Sequence, residues 1–414
     1  MPSTHREHEN DRQLLLAQLD GWRKKPNAGT FPNQALVDYV KLVGKHFLPV
    51  SLLMTLQEAR LAIPNCVGDP VEREVLLRFL NIILDKRDNR YDYISYIALP
   101  LLGADPQTLT PNHSEGATRT RIALLVGDAL IFETGAALGL RPELPLMRPG
   151  FNLLQKRLRH GLRMIRSMRP DSARVISDNL QVNPAVVHKQ LIDFLDIASM
   201  ADRSWLSMTV LPVYVVHDEY LFIRVLQSFE SLFAFLALDA EDCIQALNLG
   251  DVSRAIGNLS SAADMFLKVL PLFSLLATLQ RDAFTTFREY TEGASAIQSV
   301  NYKTFESICG TPSLERLHSP SFTSVPPVQA RVLEGRPTIQ GTVDAIRGSG
   351  TLNEIQDMQL SDSLARLEEV HQRWKRTHYS LALRMLGDTT GTGYTEGTPY
   401  LKSVINNRLF RQVG

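Results

Sequence analysis

The sequence predicts an all-α fold, and three observations lead there. Apolar residues recur at intervals of three and four through seven long stretches, the period of a helix with one buried face. Alternation at period two, the mark of a half-buried strand, is nearly absent. Proline and glycine collect in two stretches that separate the periodic ones. A helical bundle is the architecture that satisfies all three.

Helices are expected, in chain order, over "NQALVDYVKLVGKHFL", "REVLLRFLNIILDK", "TRTRIALLVGDALIFETGAAL" and "NLLQKRLRHGLRMIRSM". "EYLFIRVLQSFESLFAFLALDAEDCIQAL" follows, and then "DVSRAIGNLSSAADMFLKVLPLFSLLATLQRDAFTTFREYT". The last is "LSDSLARLEEVHQRWKRTHYSLALRML", which breaks at Gly387 into a loop of glycines and threonines. "LGLRPELPLMRPG", at 138–150, reads as a boundary, and 310–351 as a long loop. The expected organisation is an N-terminal helical region over 1–205 and a functional core over 206–414.

The chain of 414 residues carries 44 basic and 44 acidic side chains, so no basic excess points to nucleic acid or an anionic membrane. No apolar run approaches the roughly 18 residues of a membrane span. The polar start "MPSTHREHENDRQ" does not read as a signal peptide, and a cytoplasmic protein is expected. Cys66, Cys243 and Cys309 are scattered and fit neither a zinc site nor a disulfide framework.

Three segments carry candidate chemistry. In the last helix Val370, Trp374, His378, Leu381 and Met385 form one apolar stripe, with Lys375, Arg376 and Arg384 off it. His378 therefore faces inward, either as a hydrogen-bonded core residue or as a ligand of the kind that holds haem iron. In "VVHDEYLFIRVLQSFE", His217 opens an apolar helix with Asp218 and Glu219 at its positive end; it is either a surface residue or part of a site. In "FREYTEGASAIQS", Phe284 and Arg288 share a helix face. Arg288 either packs its stem on the surface or forms a fork for a carboxylate, and Ser295 offers a hydroxyl nearby.

Taken in order, these segments resemble the tryptophan 2,3-dioxygenase family. "HDEYLFIRVLQSFE" is similar to its HDExLFI…Q..E helix, "FREYTEGASAIQS" to its FRExxxxxSGFQS, and "THYSLALRMLGDTTGTGYTEGTPYLKS" to its H…R.(I/L)G…GTGGSSGxxYLRS. The resemblance covers about 213–309 and 366–410. It implies an all-helical haem b enzyme, a homo-oligomer (tetramer or dimer), acting on a small aromatic amino acid and O2. It places His378 as the axial iron ligand, and His217 as the catalytic distal histidine that faces the indole nitrogen. Arg288, Ser295, Thr392 and Phe284 become substrate contacts. The implied reaction inserts O2 into the indole ring of L-tryptophan or a derivative; the alternative is a related haem monooxygenase of an aromatic amino acid. "YDYISYIALPLL", with Tyr93 and Tyr96, is similar to a family element that reaches into a neighbouring subunit's pocket. Ala296, Ile297, Tyr394 and Glu396 depart from the family pattern, and Val213 stands where some members carry phenylalanine.

Overall fold

The computed structural model describes residues 8–103, 114–174, 176, 183–196, 205–387 and 397–411. It is helical throughout, with two isolated β-bridges and no strand among the described residues. In chain order the helices that position the site are α1 (Glu9–Lys24), α2 (Asn33–Val43), α3 (Val50–Ala62), α4 (Pro70–Ile83), α5 (Tyr93–Tyr96), α6 (Glu115–Ala137), α7 (Phe151–Met168) and α8 (Pro184–Asp196). Then come α9 (His217–Asn248), α10 (Val252–Val269), α11 (Pro271–Leu276), α12 (Arg281–Arg288) and α13 (Val300–Cys309). The chain ends with α14 (Leu314–Leu317), α15 (Pro320–Thr323), α16 (Pro326–Leu333), α17 (Ile339–Ser349), α18 (Glu354–Leu386) and α19 (Thr398–Val404).

Helix α9 is the axis of the molecule, packed against α6, α10 and α13. Its apolar character runs nearly all round because it is buried on nearly all sides. By composition α9 and the Val252–Leu276 stretch could each cross a membrane, but the apolar window of α9 is 83% buried inside the bundle. Residues from Tyr93 to Phe194 belong to the same hydrophobic core as those from Leu206 to Phe410. Residues 15–84 make a second core, closed by Ala98, Met208 and Leu211. Apolar packing thus runs across residue 205.

The expected loop over 310–351 is instead largely helical. Pro320 and Pro326 each stand at the first helical turn, where a missing N–H costs nothing. Ser313 and Thr338 cap the helices that follow them. The prolines there start helices rather than break them.

Gly44 ends α2 with φ +84°, and a Cβ there would lie 2.7 Å from the carbonyl oxygen of Val213. This close approach lets Lys45 and His46 donate backbone hydrogen bonds to Pro212 and Val213, at 2.7 and 3.1 Å. The N-terminal core is thereby fastened to the segment that leads into α9.

Candidate active site

A cavity of about 290 Å³ opens between α9, α12, α13, α18 and α19. Helix α9 contributes Phe222, Leu226, Phe229 and Phe233, spaced by four, three and four along one face, with Glu230 beside them. Phe273 of α11 and Trp374 of α18 complete an aromatic wall, their ring centroids 5.9 Å apart.

His378 projects from α18 into this slot, between Phe273 at 6.1 Å and Trp374 at 5.5 Å. Neither ring nitrogen has a hydrogen-bond partner among the described residues. Burial pushes its pKa down to about 4, so the imidazole is neutral at physiological pH and keeps a free lone pair. Among the described residues no cluster of three or more His, Cys, Asp or Glu is arranged to hold a metal ion.

Phe284 and Arg288 line the cavity one helical turn apart, as their spacing predicts. Phe284 meets Phe222 edge-on at 5.4 Å. Arg288 is half-buried, and desolvation lowers its pKa from the ordinary arginine value. Ser295 lines the same wall and caps the short turn over Ala296–Gln298, with Gln298 reaching back in a capping box. Ala296 and Ile297 also line the cavity.

Tyr93 and Tyr96 line the cavity as well, and they come from this same chain rather than from a neighbour. The Gln298 side-chain oxygen accepts from the backbone N–H of Tyr93 at 2.9 Å and of Ser295 at 3.3 Å. Gly293 lets the turn approach Tyr91, where a Cβ would lie 2.9 Å from the carbonyl oxygen. Beside the tyrosines are two buried carboxyls. Burial raises Glu219 to about 8 against the N–H groups of Val213 and Tyr214, and raises Glu230 to about 7 although Asn301 donates to it at 3.0 Å.

His217 is not at the cavity, which corrects the expected distal role. It precedes Phe222 by five residues, about 140° around the helix, and so points to another side. Its Nε2 lies 3.2 Å from Glu133, within a fully buried network. There Arg157 donates to Glu133 and Asp218, both at 2.7 Å, and to the Thr278 carbonyl at 3.1 Å. Burial alone would raise the Glu133 carboxyl, but Arg157 and His217 hold it below its ordinary value. Leu226, not a histidine, is the α9 side chain that reaches the cavity next to Phe222. Its signal was the 222, 226, 229, 233 stripe, which sequence reasoning left unused.

Thr392, Tyr394 and Glu396 lie outside the described residues. On either side of them, the Thr398 hydroxyl donates to the Gly387 carbonyl at 3.0 Å. Lys375, expected off the buried stripe, lines the cavity and donates to the Asn407 carbonyl at 2.6 Å, because the C-terminal segment folds back over α18. With Lys303 and Arg316 it puts three cations at one end of the cavity. Glu306 pairs with both Lys303, at 3.1 Å, and Arg316, and these hold its carboxyl down at about 2 against the opposing effect of burial.

The sequence is 26% identical over 231 residues to tryptophan 2,3-dioxygenase of Bacillus anthracis, covering 48% of this chain and 82% of that protein. It is 24% identical over 263 residues to the Pseudomonas aeruginosa enzyme of the same name, covering 55% and 91%. Against the enzyme of Pseudomonas fluorescens the figures are 24% over 269 residues, 56% and 95%. No family model matches the chain.

Proposed function

We propose that this chain, a divergent member of the tryptophan 2,3-dioxygenase family, is a haem-dependent dioxygenase that inserts O2 into the indole ring of L-tryptophan or a tryptophan derivative. The product would be of the N-formylkynurenine type. The observation that carries the reading is His378, a neutral imidazole without a hydrogen-bond partner among the described residues, held in an aromatic slot. That donor set fits haem b: one lone-pair donor, flat apolar walls, and cations at one end suited to the propionates. When bound, the haem supplies the O2 activation that no side chain provides.

The chain's own residues would do the rest. Arg288 would grip the substrate carboxylate with two parallel N–H donors, and the Ser295 hydroxyl would stand beside it. Phe222 and Phe284 would hold the ring edge-on, fixing its reactive carbons in near-attack geometry. The apolar lining would exclude water. Thr392 belongs to the reading as a second contact for the amino-acid end. A cytoplasmic location and a homo-oligomeric state also belong to it.

One observation favours a second reading. Among the described residues His378 is the one imidazole at the cavity, so no histidine base opposes it. Glu230, which titrates near neutrality, suits a phenol or hydroxyl-bearing ring as well as an indole N–H. A haem monooxygenase of an aromatic amino acid would use it.

The test is the visible spectrum of the protein supplied with haem, before and after reduction and addition of L-tryptophan. A Soret band that shifts with tryptophan is expected, and His378→Ala should lose most haem while remaining folded. Full haem retention in that variant would remove His378 from the axial position. Product mass separates the two readings: a gain of two oxygen atoms supports the dioxygenase, and a gain of one supports the alternative.

A further inference from the structure

A second cavity, of about 220 Å³, lies between α2, α6 and α9 and shares no lining residue with the first. Tyr220 and Phe222 are two residues apart on α9, about 200° around the helix, so the two cavities lie on opposite sides of it. The walls here are mainly polar. Lys41, Asp128, Arg141 and Glu143 all face the space.

Two of these charges, Lys41 and Glu143, are buried and incompletely paired among the described residues. Lys41 is only 8% exposed, and its ammonium makes no hydrogen bond or ion pair among the described residues. It lies over the Tyr220 ring, with the centroid 5.4 Å away. Glu143 is also 8% exposed, and its Oε2 is buried with no hydrogen-bond partner among the described residues. Its other oxygen lies 3.6 Å from Arg141, which reaches in from the mouth. Asp128 accepts from the Tyr220 hydroxyl and from Arg224, each at 2.7 Å, which fixes its carboxylate at the cavity wall.

Burial without a partner is costly for either sign of charge, and a flexible lysine would normally close onto a nearby carboxylate. Leu144, immediately after Glu143, has φ +46°, a left-handed conformation rare for a leucine, and its N–H donates to the Lys41 carbonyl at 3.3 Å. Charges of both signs around one cavity, with the Glu143 Oε2 and the Lys41 ammonium unbonded among the described residues, are complementary to a molecule carrying both charges itself. At about 220 Å³ the space is large enough for an amino acid with a short polar side chain.

We infer that this cavity is a second binding site, for a small zwitterion of the amino-acid class, whose carboxylate meets Lys41 and Arg141 and whose ammonium meets Glu143 and Asp128. Burial lowers Lys41 to about 8, which still leaves it mostly protonated at neutral pH. The inference does not depend on haem or on the reaction at the first cavity. Phe132, in the wall of the second cavity, stacks on Tyr220 at 4.1 Å, so occupancy bears directly on α9.

The test is calorimetric titration of the full chain with L-serine and L-asparagine, and with propionate and ethylammonium as single-charge controls. Saturable binding of at least one zwitterion is expected, about tenfold or more tighter than either control. It should weaken about tenfold or more in both Lys41→Met and Glu143→Gln. The second change is nearly isosteric, so a folding failure of the first leaves the test intact. No saturable heat with either amino acid would overturn the inference and leave a water-filled cavity. Unchanged binding in Glu143→Gln, or controls that bind as tightly as the zwitterions, would overturn it equally.

Discussion

Replacing His371 with glutamine should flatten the protein's acid sensitivity. His371 is fully buried on α18, and its Nε2 meets the Tyr302 hydroxyl at 2.9 Å. Burial, reinforced by Lys375, Arg316 and Lys303, holds its pKa down at about 3 although Glu306 opposes the shift. In the unfolded chain the imidazole titrates near 6.5. Between those values unfolding takes up a proton, so stability is lost as pH falls from 6.5 toward 3, and none of this loss occurs above 6.5. At about 1.4 kcal/mol per pH unit, lowering the pH from 6.5 to 5.0 costs about 2 kcal/mol through this one side chain. Urea unfolding at pH 7.5 and 5.0 reads the difference. The parent should lose about 2 kcal/mol more over that interval than His371→Gln, since the other histidines contribute equally to both. Glutamine can still bond Tyr302, so the cavity wall persists. Equal losses in the two proteins would show that His371 is not held neutral by its surroundings.

Further outcomes follow from the same geometry. Gly44→Ala combines a positive φ with a 2.7 Å contact to backbone, and should cost about 1–3 kcal/mol or more, seen as a lower melting temperature; an unchanged melt would show that the joint between the two cores yields freely. Arg157→Leu strands Glu133 and Asp218 in the core and should destabilise by about 3–5 kcal/mol, measured by chemical unfolding. His217→Gln should lower stability while leaving the spectrum of any haem-bound, tryptophan-titrated protein in place; loss of the tryptophan response would return His217 to the site. Arg288→Ala should weaken carboxylate-bearing indoles by about 1.5–3 kcal/mol, tenfold to over a hundredfold, and indole itself far less. Equal losses for the two would detach Arg288 from the carboxylate.

Much of this was legible from periodicity. The stripe through Trp374, His378 and Leu381 faces the cavity, and the four-residue spacing of Phe284 and Arg288 brings both to its wall. His217 was misplaced because a motif names residues together without stating their angles; five positions along α9 separate it from the cavity side. The helices over 310–351 were missed because proline and serine read as breakers, whereas at a first turn or an N-cap they begin helices. The resemblance brought Tyr93 and Tyr96 to a pocket, but that the pocket is in their own chain was not legible locally. It depends on Gln298, some two hundred residues away, and no periodic pattern records a contact between a short helix and so distant a turn.

That contact bears on how the protein behaves when dilute. Gln298 anchors Tyr93 to the turn that carries Ser295, so both sides of the pocket travel on one polypeptide. A pocket completed between subunits would fade as the protein is diluted and assemblies separate. The Tyr93 side of this pocket should stay in place on dilution, and a turnover per polypeptide that falls between micromolar and nanomolar concentration would point to a contribution from a second subunit.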